Sequence, residues 1–184
     1  MIGTRAMPPT SLTPPLTLLQ RFDLTLRCMT PFVITLLLAL APVLPLHLPH
    51  DTDLVPAFTL MSVFYWTVYR PDLMPASAVF AIGVIQDFAA GAPLGITSMI
   101  LLGTHGVVLG QRRLFVGKPF AMAWSGFMLI DAAATAVSWA FASLLAGEPL
   151  SLSQPLLEFV ATLAMFPMLA WFFVRTHRRV LARV

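Results

Sequence analysis

Six apolar segments follow one another along the chain from residue 29 onward, separated by short stretches with charged, glycine or proline residues. A helix needs about 20 predominantly apolar residues to cross the hydrocarbon core of a bilayer, and the segments approach or reach that length. The second and third are short and the fifth is long, so we expect their tilts to differ. The sequence predicts six spanning helices, at about 29–48, 54–69, 75–90, 94–110, 120–146 and 155–174.

The composition also indicates a membrane protein. Hydrophobic residues make up 58% of the 184 residues and charged residues only 10%, whereas soluble domains carry about 25% charged residues. The net charge of +3 does not indicate nucleic-acid binding, because that function needs a basic patch on a soluble surface. Here the cations flank apolar segments instead. The predicted fold class is therefore all-α, a polytopic membrane protein.

Lysine and arginine are confined to alternate loops. All 11 of them lie before the first segment, between the second and third, between the fourth and fifth, or after the sixth. The remaining loops hold only acidic charges, at Asp51, Asp53 and Glu148. Because the positive-inside rule assigns loops rich in Lys and Arg to the cytoplasm, both termini are predicted to be cytoplasmic. The cations are Arg5, Arg21, Arg27, Arg70, Arg112, Arg113, Lys118, Arg175, Arg178, Arg179 and Arg183.

The two ends of the chain differ in composition from its middle. Residues 1–27 are rich in proline, serine and threonine, which predicts a flexible cytoplasmic tail. Within this tail, residues 16–26 are a candidate for a short amphipathic helix at the membrane surface. Residues 28–174 are predicted to form a six-helix transmembrane domain, and residues 175–184 a basic cytoplasmic tail.

One alternative for the first segment is a signal peptide that is removed. Residues 31–41 resemble a signal-peptide core, and the A-x-A pattern at 39–41 resembles a cleavage site. However, Pro42 would directly follow the cut, where proline fits poorly, and the apolar run continues to Leu48. We therefore expect this segment to be retained as the first span.

The third segment and the turn after it carry the most informative residues. Gly83, Asp87 and Gly91 recur every four residues and so share one helix face. A carboxylate at mid-bilayer costs about 2.5–3.5 kcal/mol on insertion scales, so it needs a partner or a cavity. Asp87 lies near the outer end of its helix, so two interpretations stay open: its carboxylate is simply hydrated at the membrane interface, or it makes a functional contact. Gly91 is expected to cap the helix and Pro93 to prevent its continuation, which predicts a shaped turn.

Three further ionisable residues fall inside predicted spans. Asp131 lies about 16 Å into the fifth span, near mid-bilayer, with Thr135 and Ser138 on its face. It either accepts hydrogen bonds from a neighbouring span or belongs to a substrate or proton site. His105, among glycines of the fourth span, is expected to make an interhelical hydrogen bond. Glu158 lies near the start of the sixth span, where the helix dipole favours an anion.

No pattern in the chain indicates catalysis. Cys28 is the one cysteine, so an internal disulfide is excluded, and no Cys/His spacing indicates a metal site. The chain has no G-x-S-x-G, Walker or zinc-protease motif. We therefore predict no catalytic residue, no cofactor and no metal, and a protein that is not an enzyme.

The pattern as a whole resembles the MreD family of bacterial rod shape-determining membrane proteins. The resemblance rests on six short spans, on the aromatic end of the second span leading into Tyr69-Arg70-Pro71, and on Gly83-x-x-Gln86-Asp87-x-x-x-Gly91-x-Pro93-x-Gly95. It implies a bacterial inner-membrane protein with a fold similar to the substrate-binding components of vitamin-uptake transporters. It also implies a non-enzymatic role in the cell-elongation complex. The implied partners are an MreC-like bitopic protein, an MreB-like cytoskeletal protein and a RodA/penicillin-binding synthase, in contact with membrane lipid.

Two functional hypotheses follow from the residues and the resemblance together. In the first, the glycine-rich face packs against a partner helix, such as the single span of an MreC-like protein, and Asp87 holds a polar contact. The residues of this partner-contact or packing face are Gly83, Gln86, Asp87, Gly91, Pro93 and Gly95. The second hypothesis is transport, with Gln86, Asp87, His105 and Asp131 enclosing a small molecule. We expect the basic residues of loop 111–119 to be ordinary positive-inside cations that only set the orientation of the chain. The alternative is that this loop contacts cytoplasmic partners or anionic lipid.

Overall fold

A computed structural model describes residues 18–41 and 56–176 of the chain. Within these two ranges the protein is all-helical, with six α-helices, two short 3₁₀ turns and no strand. The α-helices are α1 (Leu18–Leu40), α2 (Phe58–Tyr69), α3 (Ala76–Ala90), α4 (Ile96–Gln111), α5 (Phe120–Ala146) and α6 (Ser153–Thr176), and the 3₁₀ turns are Pro71–Leu73 and Arg112–Leu114.

The helix bounds follow the predicted segments closely for α3 to α6, whereas α1 differs. It is helical from Leu18, because Arg21 and Arg27 lower the hydropathy of this stretch without breaking the helix. Its apolar part, Met29–Leu40, starts at the residue predicted for the first span. The separate surface helix considered for residues 16–26 is therefore continuous with α1 from Leu18 onward. The predicted end of the first span and start of the second lie outside the described residues, as do the first 17 residues and the end of the basic tail.

Length and apolarity alone single out two helices as able to cross a membrane. In the described part of the chain these are Phe120–Ala146 and Ser153–Arg175, while Met29–Leu40 and Ala76–Ala90 are shorter apolar helices. A spanning helix usually needs 17 to 25 residues, about 20 on average. The six-span count therefore stays a prediction from hydropathy and charge.

Helix α2 occupies the centre of the fold. It packs against α1, α4, α5 and α6, while α3 pairs with α4 and α5 pairs with α6 as antiparallel neighbours. Every residue of α2 from Thr59 to Val68 is buried. A helix that is apolar on all sides is expected in such a central position.

Aromatic side chains fill the core beside α2. The ring of Phe64 packs edge-on against Phe115, Phe127 and Phe166, with centroid distances of 5.9, 5.3 and 5.8 Å. The rings of Phe127 and Phe166 stack at 4.2 Å, which joins α5 to α6. Such pairs stabilise a core beyond the area they bury.

Polar groups of α2 are paired with its neighbours. The hydroxyl groups of Thr35 and Ser62 lie 2.7 Å apart, and Oγ1 of Thr67 lies 2.9 Å from Nδ1 of His105. His105 thus makes the interhelical hydrogen bond expected from the sequence. Because the Thr67 hydroxyl donates its one proton to the Val63 carbonyl, it accepts from the imidazole. These bonds satisfy groups whose burial unpaired would be costly.

Arg112 has a structural role in the basic loop. Its Nε donates a 2.9 Å hydrogen bond to the carbonyl oxygen of Val68, in the last turn of α2. The last carbonyls of a helix have no partner within the helix and carry the negative end of its dipole, so a guanidinium is favourable there. At least one cation of this loop therefore contributes to the packing of the fold.

Candidate functional site

The turn between α3 and α4 is built around Asp87. This side chain is 0% exposed. Its Oδ2 accepts a 2.8 Å hydrogen bond from the backbone N–H of Gly95, and its Oδ1 accepts a 3.2 Å bond from that of Thr97. Both N–H groups belong to the start of α4, where donors lack partners within the helix and the dipole favours an anion. Asp87 therefore caps α4 from the neighbouring helix.

Two glycines give the turn its path. Gly91 ends α3 with φ 64°, and Gly95 precedes α4 with φ 103°. Both lie in the left-handed region, which glycine adopts at no steric cost. The Ala92 N–H bonds to the Asp87 carbonyl at 3.0 Å, which satisfies one of the last carbonyls of α3. The spacing of Gly91, Pro93 and Gly95 thus forms the shaped turn that the sequence predicted.

The glycine face of α3 meets α4 of the same chain. A Cβ atom on Gly83 would lie 2.5 Å from Cα of Ser98 and 2.9 Å from its backbone nitrogen. Real Cβ atoms essentially never come that close to a neighbouring atom, so the two helices touch through their backbones at this point. At Gly83 this face therefore packs against a helix of the same chain, which is the packing alternative of the prediction, and contact of the face with a partner's helix stays a prediction. Gly91 and Pro93 remain exposed at the turn.

A cavity of about 540 Å³ lies beside this turn, between the first residues of α2 and parts of α3, α4, α5 and α6. Its size is within the range of small-molecule sites, about 300–1,000 Å³. Its polar lining comes from five helices and one loop, and no Lys, Arg or His belongs to it among the described residues. The polar lining residues are Thr59, Gln86, Thr97, Asp131, Thr135, Ser138, Trp139, Ser151, Gln154 and Glu158.

Asp131 is the more buried of the two acids that line this cavity. It is 1% exposed, and its Oδ2 has no hydrogen-bond partner within the described structure. The Oε1 atom of Gln86 is likewise buried without a partner. Buried polar groups are normally paired, so each exception needs an explanation such as an unfilled ligand site.

The loop after α5 closes one side of the cavity. The indole Nε1 of Trp139 donates a 3.0 Å bond to the Leu150 carbonyl, and the Leu150 N–H donates a 3.2 Å bond to Oγ of Ser143. Gly147 ends α5 in the left-handed conformation, with φ 73°, which turns the chain back toward α6. These bonds place Ser151 and Gln154 at the cavity wall.

The structure brings together only part of the predicted polar set. Gln86 and Asp131 line the same cavity, whereas Asp87 is used in the turn and His105 is bonded to Thr67. Glu158, interpreted from the sequence as a helix-start carboxylate, lines the cavity too. Sequence reasoning missed Thr97, Trp139 and Gln154, because no spacing links residues that converge from separate helices.

A second, apolar groove of about 660 Å³ runs between α4 and α5. Small residues form part of its wall, including Gly103 and Ala133, and exposed apolar side chains such as Val107 and Leu129 flank them. A Cβ on Gly103 would meet nothing within 4 Å. This groove is open to the outside of the bundle.

Residues 20–176 match the model of a protein family described as rod shape-determining protein MreD. The chain belongs to the MreD family. It is therefore an inner-membrane protein of a family that acts in rod-shape determination and is not known to be enzymatic. No curated protein and no solved structure matches the chain. In the described residues of this MreD-family protein, no group of three or more His, Cys, Asp or Glu is arranged to hold a metal ion.

Proposed function

We propose that this MreD-family protein is a non-enzymatic scaffold of the cell-elongation complex in the bacterial inner membrane. It binds the single span of an MreC-like bitopic protein and thereby connects an MreB-like filament to a RodA/penicillin-binding synthase. The observation that carries this proposal is the family match over residues 20–176. We also propose that the fold is similar to that of the substrate-binding components of vitamin-uptake transporters.

The proposed topology has six spans and both termini in the cytoplasm. It rests on the confinement of all 11 Lys and Arg residues to alternate loops. Reporter fusions in loops 49–53 and 147–154 are expected to report the periplasm, because these loops contain no cation. Fusions in loop 111–119 are expected to report the cytoplasm and serve as the control. A cytoplasmic signal from either of the first two loops would contradict the six-span topology.

The apolar groove between α4 and α5 is the surface we propose for the partner's span. Interfaces between membrane helices are enriched in small residues, because these let two backbones approach closely. Gly103 and Ala133 supply such positions in the groove wall. Helix α5 also leaves most of its surface uncovered, since only 6% of the residues in its most apolar stretch are buried. The glycine face of α3 does not offer this surface, since α4 already covers Gly83.

Two matched substitutions in α4 test this surface. Gly103→Leu fills the groove and is expected to reduce co-purification of the MreC-like partner at least about tenfold, because a closely packed interface loses its backbone approach. The same variant is expected to leave depleted cells round, whereas the wild-type gene restores rods. Gly106→Leu is the control, since Gly106 also has open space at its Cβ but lies outside the groove lining.

Partner recovery and cell shape can be compared only if both variants accumulate in the membrane at wild-type levels. Undiminished partner recovery and rod shape with Gly103→Leu would exclude this groove as the docking surface. Equal losses with Gly103→Leu and Gly106→Leu would also contradict it, because the effect would then come from α4 as a whole.

The remaining partners would be reached from the cytoplasmic side. Arg113 and Lys118 are exposed in loop 111–119, whereas Arg112 is bonded to α2. These exposed cations suit contact with an acidic surface of a cytoplasmic partner or with anionic lipid headgroups.

A second candidate function is a small-molecule-binding component of a vitamin-type transporter. The cavity lined by Asp131 and Gln86 favours it. Depletion separates the two functions: conversion of rods to spheres supports the scaffold, and a growth defect rescued by one nutrient supports uptake.

A further inference from the structure

We propose that the cavity between α2, α3, α4, α5 and α6 is a binding site for a primary ammonium group. The cavity has about 540 Å³ of space, enough for a small organic cation or for the headgroup of an aminophospholipid. This inference does not depend on the scaffold proposal, because binding at this site is measured without any partner.

The charges of the cavity point to a cation. Two carboxylate side chains line it, from Asp131 on α5 and Glu158 on α6, and no basic side chain of the described residues does. A buried carboxylate is costly unless it is paired with an opposite charge or bound by donors. Asp131 is 1% exposed and has neither at Oδ2.

The hydrogen-bonding groups of the cavity select the kind of cation. Among the side chains that line the cavity, the buried atoms without a hydrogen-bond partner in the described structure are Oδ2 of Asp131 and Oε1 of Gln86, and both are acceptors. Thr97 and Ser138 add hydroxyl oxygens to the cavity lining. A primary ammonium group carries three N–H donors and no acceptor, so it matches this set. A quaternary ammonium group has no N–H and would leave the acceptors unpaired.

The shape of the cavity fits an amphiphilic molecule. Apolar residues such as Phe58, Ile100 and Leu101 share the lining with the polar groups. An ammonium group could therefore be held at Asp131 while a short carbon chain contacts the apolar wall. Glu158 and Gln154 lie in the first turns of α6, where they can meet a second polar group of the ligand.

Two binding experiments distinguish the source of the ammonium group. The full chain is purified into phosphatidylcholine nanodiscs, and calorimetry measures binding of 1,4-diaminobutane and of ethanolamine, with tetramethylammonium as the probe without N–H donors. In the second experiment, native mass spectrometry measures retention of phosphatidylethanolamine against phosphatidylcholine. Binding of the free amines only identifies a soluble ligand, and retention of phosphatidylethanolamine only identifies a lipid. Either result supports the site.

Asp131→Asn is the decisive variant, because it keeps the shape of the side chain and removes its charge. We expect it to weaken binding of the ammonium probe at least about tenfold, the effect of losing one charge-assisted hydrogen bond. Glu148→Gln removes one charge from an exposed loop position outside the cavity and is expected to bind like the wild type.

Three results would overturn the proposal. They are no binding of any primary amine or phosphatidylethanolamine by the wild type, equal binding by the Asp131→Asn variant, and tetramethylammonium binding as tight as that of the primary amines. A thermal unfolding curve of the Asp131→Asn variant is recorded alongside. A weakened affinity with an unchanged melting temperature assigns the loss to the site rather than to the fold.

Discussion

Replacing Asp87 with alanine is expected to lower the free energy of unfolding by about 3 kcal/mol. The substitution leaves the N–H groups of Gly95 and Thr97 without their carboxylate acceptor, and a buried donor without a partner costs about 1–3 kcal/mol. It also removes the negative charge from the start of α4, where a charge is favourable. Removing an ordinary capping side chain costs about 1 kcal/mol, so the two lost bonds make this change larger than usual.

The measurement is the thermal unfolding midpoint of the detergent-purified protein, together with its level in the membrane. Asp87→Asn keeps one carbonyl oxygen and is expected to lose part of the stability only. Asp72→Ala is the control, because Asp72 is an exposed carboxylate in the 3₁₀ turn that connects α2 to α3. If Asp87→Ala unfolded at the wild-type temperature but no longer supported rod shape, Asp87 would act on a partner rather than on the turn.

Introducing a side chain at Gly83 is expected to force α3 and α4 apart. A Cβ there would lie 2.5 Å from Cα of Ser98, and backbone atoms cannot move aside as the end of a flexible side chain can. Overpacking of a well-packed core costs about 1–3 kcal/mol, and we expect Gly83→Ala to reach the upper end of this range. Gly83→Leu is expected to prevent stable accumulation of the protein.

The control for Gly83→Ala is Gly103→Ala on the facing helix. The Cβ of Gly103 has open space, and alanine is favoured over glycine in a helix by up to about 1 kcal/mol. We therefore expect opposite shifts of the unfolding midpoint for the same chemical change. A Gly83→Ala protein as stable as the wild type would show that α3 and α4 do not approach as closely as described. Because of this clash, Gly83→Leu is not a usable test of partner binding.

Local signals in the sequence account for several helix bounds. Pro75 and Pro119 directly precede α3 and α5, and Gly91 and Gly147 follow them in the left-handed conformation. Proline just before a helix and glycine just after it are local start and stop signals, so the sequence reveals them without any tertiary information. That α1 is helical from Leu18, before its apolar part at Met29–Leu40, has the opposite reason, since charge changes hydropathy without ending a helix.

The candidate site residues likewise fall into two groups: those that spacing along one helix brings together, and those that only the packing of several helices brings together. The spacing of Asp131, Thr135 and Ser138 placed them on one helix face, and the structure keeps all three on one cavity wall. That Gln86 and Glu158 join them depends on how α3 packs against α4 and how α4 and α6 pack against α5, which no spacing within one segment encodes. The acceptor role of Asp87 toward Gly95 and Thr97 became visible only once the turn had closed.

By itself, then, the sequence determined the membrane character, the helical fold, the predicted orientation of the loops, the residues of the α3 to α4 turn and the resemblance to the MreD family. These properties depend on transfer of side chains into lipid and on near neighbours along the chain. Only the tertiary structure decided that the glycine face of α3 meets α4, that Asp87 caps α4 and that Asp131 lines a cavity. These outcomes depend on many weak contacts summed between helices distant in sequence, and such sums leave no pattern in any one segment.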